Sequence, residues 1–159
     1  MEQYLIVSDI HGRYSWLTAA IQQAGQVDGI LFLGDGWRDV QQLRTEGYSM
    51  PIFPVQGNCD LPVAPVTQTL ELAGHTLLLC HGHTYHVKDN LARLAQAAKE
   101  QGAEGALFGH THLPTLEQQD GVWLFNPGSL GAPRFGGPSY GILRMERHDL
   151  QLEHRELTL

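Results

Sequence analysis

Tyr4-Leu5-Ile6-Val7-Ser8-Asp9-Ile10-His11-Gly12 opens the chain with an apolar run that stops at a carboxylate and an imidazole. Later runs stop in the same way. Ile30-Leu31-Phe32-Leu33 meets Asp35, and Phe53-Pro54-Val55 meets Asn58. Leu77-Leu78-Leu79 meets His81, and Ala106-Leu107-Phe108 meets His110 and His112. Strands commonly end at polar turns, so one such ending carries little. Repeated endings that draw only on Asp, Asn and His point to one site, assembled at the carboxyl edge of a sheet. That edge is where open α/β sheets bind ligands. The pattern reads as a hydrolytic enzyme with two metal ions.

Outward from these runs, the first half of the chain alternates strand and helix. Tyr4–Ser8, Gly29–Leu33 and Ile52–Val55 read as strands. Pro54 removes a ladder donor and marks the third as an edge strand or a bulge. Tyr14–Ala24 is helical, with Trp16, Leu17, Ala20, Ile21 and Ala24 on one face, and Asp39–Arg44 is a short helix that ends near Gly47. This order favours a parallel sheet with right-handed crossovers. Beyond Asn58, Val66–Leu72 and His75–Cys80 form a hairpin about Ala73-Gly74. Val87–Gln101 reads as a helix with Leu91, Leu94, Ala95 and Ala98 on one face and Gly102 placed to end it. Gly105–Phe108 is a strand, and Thr115–Gln119 and Val122–Phe125 flank an Asp120-Gly121 turn. Tyr140–Glu146 and Leu150–Glu156 close the chain as a last strand pair. So many strands exceed one small sheet, so two stacked sheets with helices outside are expected. With no repeat, low-complexity tract or dividing linker, residues 1–159 read as one domain.

Composition sets outer limits. The 159 residues are 42% hydrophobic and 17% charged, which is globular, and long enough to bury a core. A net charge of −7 argues against extended nucleic-acid binding, which depends on Lys and Arg. Cys59 and Cys80 form no disulfide framework. No signal peptide or membrane-spanning run is visible, so a cytoplasmic location without membrane attachment is expected. Trp37 and Trp123 are candidates for a subunit contact, which leaves a homo-oligomer open.

The donor set has its own chemistry. Asp9 and His11 lie two apart and face one ion in an extended segment, and Asp35 sits between Gly34 and Gly36, where the backbone can approach closely. Asn58 adds a neutral oxygen, and His81, His110 and His112 add nitrogens. This O/N mixture suits Mn²⁺, Ni²⁺, Co²⁺, Fe or Zn²⁺ and not the all-oxygen preference of Ca²⁺. Two divalent ions are expected, with Mn²⁺ first among them. A pair of dications outweighs two carboxylates, so the site attracts phosphate although the whole chain is acidic. His75, His148 and His154 read as solvated, His86 as surface or as a support behind the metal donors, Asp60 as orienting a neighbour, and Cys80 as packing.

The motifs Ser8-Asp9-Ile10-His11-Gly12, Gly34-Asp35, Gly57-Asn58-Cys59-Asp60, His81-Gly82-His83 and Gly109-His110-Thr111-His112 resemble, in order, those of the calcineurin-like metallophosphoesterases. Asn126-Pro127-Gly128-Ser129 followed by Pro133-Arg134 resembles their small single-domain phosphodiesterase branch (YfcE-like). The resemblance spans nearly the whole chain and implies a four-layer αββα sandwich with a dinuclear centre. It implies that Asp9, His11 and His112 hold one metal, that Asn58, His81 and His110 hold the other, and that Asp35 bridges them. It implies hydrolysis of a small phosphodiester by a metal-bridging hydroxide. Asn58, Cys59 and His83 become candidate catalytic residues, and Arg13, Arg38 and Arg134 candidates to clamp phosphate. Many relatives have histidine at the position of Cys59. A thiol is a weaker donor and a different acid, which favours diesters whose leaving group needs little protonation. The alternatives are a phosphomonoesterase of the same fold and a non-catalytic scaffold like the eukaryotic retromer subunit that resembles it. A dinucleotide-binding protein is excluded, because Asp9-Ile10-His11-Gly12-Arg13 lacks the required glycine pattern.

Overall fold

The computed structural model describes residues 1–159. In chain order its elements are β1 (Glu2–Val7), α1 (Tyr14–Ala24), β2 (Gly29–Phe32), α2 (Trp37–Thr45), β3 (Ile52–Pro54), β4 (Thr67–Leu72) and β5 (His75–Cys80). A 3₁₀ turn at His83–Tyr85 precedes α3 (Ala92–Glu100), followed by β6 (Gly105–Leu107), β7 (Thr115–Gln119), β8 (Val122–Asn126), β9 (Ser139–Glu146) and β10 (Asp149–Glu156). They form two five-stranded sheets, ordered β10-β9-β1-β2-β3 and β4-β5-β6-β8-β7.

The contiguous apolar runs arise because both faces of the central strands are buried. Alternate residues feed different layers. Leu5 and Val7 of β1, with Ile30 and Phe32 of β2, pack under α1 and α2. Tyr4, Ile6 and Leu31 point the other way and meet Leu77, Leu79, Leu107 and Phe125 of the second sheet. Leu78, Cys80, Ala106 and Leu124 form a third core under α3, against Leu94, Ala95 and Ala98. The result is the expected layering, helices outside and two mixed sheets within. Strands β1, β2 and β3 run parallel, as do β5, β6 and β8, so their carboxyl ends gather at one rim.

Pro54 lies on edge strand β3, where its missing N–H interrupts no ladder. Three departures from expectation have specific causes. Helix α3 starts at Ala92 rather than Val87, because His86 takes a left-handed φ of 53° and the Asn90 side chain accepts the Ala92 N–H at 3.0 Å. Helix α2 starts at Trp37, two residues early, because a carboxylate distant in sequence caps it. His75 and His154 are not solvated. His75 is buried, contacting the Glu104 carboxylate at 2.6 Å through Nδ1 and the Glu146 carbonyl at 2.5 Å through Nε2. It thereby ties the start of β5 to the end of β9, across the two sheets. His154 bonds the Asn126 carbonyl at 2.7 Å and stacks on Phe125.

Candidate metal centre

The rim where the parallel strands end carries the expected donors. Asp9 and His11 follow β1, Asp35 follows β2, Asn58 lies beyond β3, His81 follows β5, and His110 and His112 follow β6. The turns are sharp. Asp9, His11, Asp35, His110 and His112 all adopt left-handed backbone, with φ of 53°, 48°, 60°, 69° and 61°. Each costs on the order of 1 kcal/mol for a residue with a Cβ, and such geometry clusters where function demands it. Gly57 permits a close approach, because a Cβ there would overlap the Asp35 carboxylate.

Both carboxylates are divided in their use. Asp9 Oδ2 accepts from the Ser8 hydroxyl at 2.6 Å and the His110 N–H at 3.0 Å. Its Oδ1 is buried without a hydrogen-bond partner. That oxygen lies 3.1 Å from His112 Nε2, 3.5 Å from His11 Nε2 and 3.8 Å from His81 Nε2. Asp35 Oδ1 accepts the Cys59 N–H at 2.8 Å, while Oδ2 lies 3.2 Å from His81 Nε2 and 3.8 Å from His11 Nε2. One oxygen of each is tied to the protein, and the other faces the imidazoles.

The imidazoles are oriented in turn. His81 Nδ1 donates to the Leu33 carbonyl and His112 Nδ1 to the Ala132 carbonyl, both at 2.7 Å, which leaves each Nε2 lone pair aimed inward. His11 and His112 bring their Nε2 atoms within 3.4 Å, and His110 Nδ1 lies 3.3 Å from His81 Nε2. Asp9 and Asp35 have no Lys or Arg partner, and their ion-pair contacts are with histidine alone. Buried carboxylates need a compensating positive charge. Either shared imidazole protons or a cation must supply it, and inward lone pairs beside a partnerless carboxylate oxygen are what a divalent cation takes. The donors Asp9–His11–His112 and Asp9–Asp35–His81 each fall within 4.8 Å of one another, as do His11–Asp35–Cys59. The residues fit the group.

The electrostatics carry the same strain. Burial opposes ionisation of Asp9, but the imidazoles of His11, His112 and His81 gathered around it outweigh that and hold its carboxyl well below the usual range. Burial likewise disfavours charge on Asp35 and on His81, and their mutual contact overrides it, lowering the one and raising the other. His110 is pushed down to about 4 by burial, by His81 and by Lys88. Burial and then Asp35 push the exposed Cys59 thiol up.

Other expected residues fall at graded distances. Asn58 is exposed, its amide nitrogen 3.6 Å from Cys59 Sγ. The His83 ring lies 5.5 Å from that of His81 and 6.1 Å from that of His110, and its buried Nδ1 has no partner. Arg38 lines a groove with His11, Asp35 and Cys59. Arg134 lines a smaller cavity with Lys88 and Thr111, and its N–H bonds the His112 carbonyl at 3.2 Å. The Arg13 guanidinium is stacked over Trp16 at 4.6 Å.

Asp60, read from the sequence as orienting a neighbour, holds four backbone N–H groups, while Asn126 and Ser129 are supports with no assigned role in the sequence. The Asp60 carboxylate accepts the N–H groups of Asp35, Gly36, Trp37 and Gly57 at 2.8–3.0 Å, which fixes the Asp35 turn and caps α2. Buried Asn126 donates to the Gly109 carbonyl and the Thr111 hydroxyl, pinning the turn that carries His110 and His112. Ser129 donates to the Asp9 carbonyl at 2.7 Å and accepts the Ala132 N–H at 2.9 Å, so one loop braces the turns that carry Asp9 and His112. The visible signal was the small polar stretch Asn126-Pro127-Gly128-Ser129 directly after a buried strand.

Similarity to known proteins runs over the whole arrangement. Residues 3–148 match the calcineurin-like phosphoesterase superfamily domain. The chain is 34% identical over 145 residues to the probable metallophosphoesterase YsnB of Bacillus subtilis, covering 89% of this chain and 83% of that protein. It is 30% identical over 168 aligned residues to the phosphodiesterase YfcE of Escherichia coli, covering 90% and 88%. Among solved structures, a predicted phosphoesterase of Streptococcus pneumoniae superposes with a TM-score of 0.81 at 23% identity, covering 99% of this chain and 92% of that one. The wild-type Vps29 of Entamoeba histolytica, solved with Zn²⁺, shares the fold at a TM-score of 0.74 and 18% identity, with 98% and 99% covered. With its strand-end donors and with relatives of this identity over most of its length, the chain belongs to the calcineurin-like phosphoesterase superfamily, as a metallophosphoesterase.

Proposed function

We propose that this protein is a metal-dependent phosphodiesterase acting on a small phosphodiester, and that residues 1–159 form one metallophosphoesterase domain. Asp9, His11 and His112 would hold one divalent cation, Asn58, His81 and His110 a second, and Asp35 would bridge them, with Mn²⁺ as the expected metal. The observation that carries the reading is the buried, partnerless Asp9 Oδ1, surrounded by inward-facing Nε2 atoms. When bound, such a pair supplies Lewis-acid charge to phosphoryl oxygens and lowers the pKa of water toward neutrality.

The chain's own groups supply orientation and proton control. The Leu33 and Ala132 carbonyls hold the His81 and His112 tautomers. Burial and then His81 lower the basicity of His83, which suits a neutral ring that contacts substrate. The raised Cys59 thiol stays protonated at neutral pH and offers only a weak hydrogen bond to a departing oxygen. Such a site favours activated diesters over monoesters with poor leaving groups. The YfcE relative, named a phosphodiesterase, supports the same preference.

The test is hydrolysis of bis(p-nitrophenyl) phosphate by purified protein with Mn²⁺, abolished by chelation and by Asp35→Asn or His81→Ala. No turnover with Mn²⁺, Ni²⁺ or Co²⁺ would sink the reading. p-Nitrophenyl phosphate run alongside separates a phosphomonoesterase. Metal-loaded protein that turns over neither ester would point to a scaffold of the Vps29 type, since the Vps29 of Entamoeba histolytica is itself solved with Zn²⁺ and metal content alone does not separate the two.

A further inference from the structure

A groove of about 450 Å³ opens directly from the centre, lined by His11, Asp35 and Cys59 at its inner end. Its outer walls are Trp37, Leu61 and Val63, with Arg38 and Gln41 beside them. Its volume falls within the usual range for small-ligand sites. Leu61 and Val63 leave 65% and 49% of their surface open, an uneconomical use of apolar side chains unless something covers them. Trp37 is partly buried against the core beneath α2 and also lines the groove, so its ring is held as a fixed platform. Arginine is the free charge here. The arginines in ion pairs are Arg144 and Arg155, and Arg38 has none. The acids in the wall are already engaged, Asp60 by its backbone N–H groups and Asp39 by the Gly12 N–H at 3.1 Å.

We propose that this groove binds a planar heteroaromatic arm of the substrate, so that the diesters hydrolysed are those of nucleosides. The inference rests on the phosphodiesterase reading for its reaction and on the groove for its specificity. A fixed indole stacks on a flat π-face, and the neighbouring Arg38 guanidinium and Gln41 amide offer donors to the acceptors on its edge. A lipid chain would fill the apolar wall and leave both polar groups without partners. The groove begins at His11 and Cys59, so an arm lying in it is attached to a phosphorus at the metal centre.

Two substrates with one leaving group test it: thymidine 5′-p-nitrophenyl phosphate and methyl p-nitrophenyl phosphate, each with Mn²⁺-loaded protein. Trp37→Ala is expected to lower kcat/KM about tenfold more for the nucleoside diester than for the methyl diester, chiefly through KM. Trp37→Phe should restore most of the ratio, and Trp123→Ala, on β8 of the other sheet, should leave it unchanged. A ratio that Trp37→Ala does not move overturns the inference. A binding readout needs no turnover: thymidine 5′-monophosphate should shift the Trp37 indole N–H resonance saturably, and ribose 5-phosphate should not. If wild-type protein hydrolyses neither diester yet Trp37 shifts, the phosphodiesterase reading fails and the groove stands as a nucleoside subsite. Turnover with an unmoved ratio and an unshifted indole refutes the groove alone.

Discussion

Replacing Asp60 by alanine removes the acceptor for the backbone N–H groups of Asp35, Gly36, Trp37 and Gly57 at once. Hydrogen bonds to a charged acceptor contribute roughly 1.5–3 kcal/mol each, which bounds the loss at about 6–12 kcal/mol. Asp60 is only partly buried, so water can take up some of the freed donors. A loss of about 3–4 kcal/mol is therefore expected, above the ~2 kcal/mol upper end for an ordinary helix cap. Asp60→Asn sharpens the test. Oδ1 serves Gly36 and Trp37 while Oδ2 serves Asp35 and Gly57, so an amide satisfies one pair and sets its NH₂ against the other. If the carbonyl stays with the helix, stability falls by about half as much, yet the Asp35 turn is released. Activity and metal retention should then fall further than stability predicts. Equilibrium urea unfolding with a constant m-value, run beside metal content, measures both. An Asp60→Ala variant within about 1 kcal/mol of wild type, with metal retained, would show that the carboxylate does not hold this turn.

Other outcomes follow from the same geometry. Asn126→Ala frees the Gly109 carbonyl and the Thr111 hydroxyl, and metal affinity measured by calorimetry should drop about 10–100-fold, as for losses of ligand-orienting groups; unchanged affinity would refute the bracing role. Mn²⁺ at about 100 times its dissociation constant should stabilise wild type by about 2.7 kcal/mol and Asp9→Asn by almost nothing, and equal stabilisation of both would place the ion elsewhere. Burial works against charge on His75, but the Glu146 carbonyl and the Glu104 carboxylate outweigh it and raise its pKa. With the folded value above the unfolded ~6.5, its contribution is fully present below that value and is lost as pH rises through the folded one. The stability gap between wild type and His75→Gln should thus narrow from acid toward alkaline pH, and a constant gap would refute the linkage.

Much of the site was legible because strand ends are a local property. Each apolar run is continuous since its residues face two cores, and each stops where the rim begins, so Asp9, Asp35, His81 and His110 stood out by position alone. Pro54 likewise announced an edge strand or a bulge through its missing donor, and the strand lies at an edge. The start of α3 was less readable, because the apolar Val87 belongs to the core under that helix without being part of it. His75 and His154 were misread as solvated for a related reason. Their partners lie 71 and 28 residues away, and no local pattern signals a contact of that kind.

The amino-acid order alone thus determined the layers, through alternating burial, and the chemical types of the donors. Tertiary packing alone decided which oxygen of each carboxylate remains free, which imidazole nitrogen faces inward, and which backbone turns must be left-handed. Those choices depend on carbonyls and amides from Leu33, Ala132, Cys59 and His110, groups every residue carries and which no sequence pattern therefore marks. Apolar periodicity is written in side chains, whereas the aim of a metal-binding atom is set by backbone brought close only when both sheets stack.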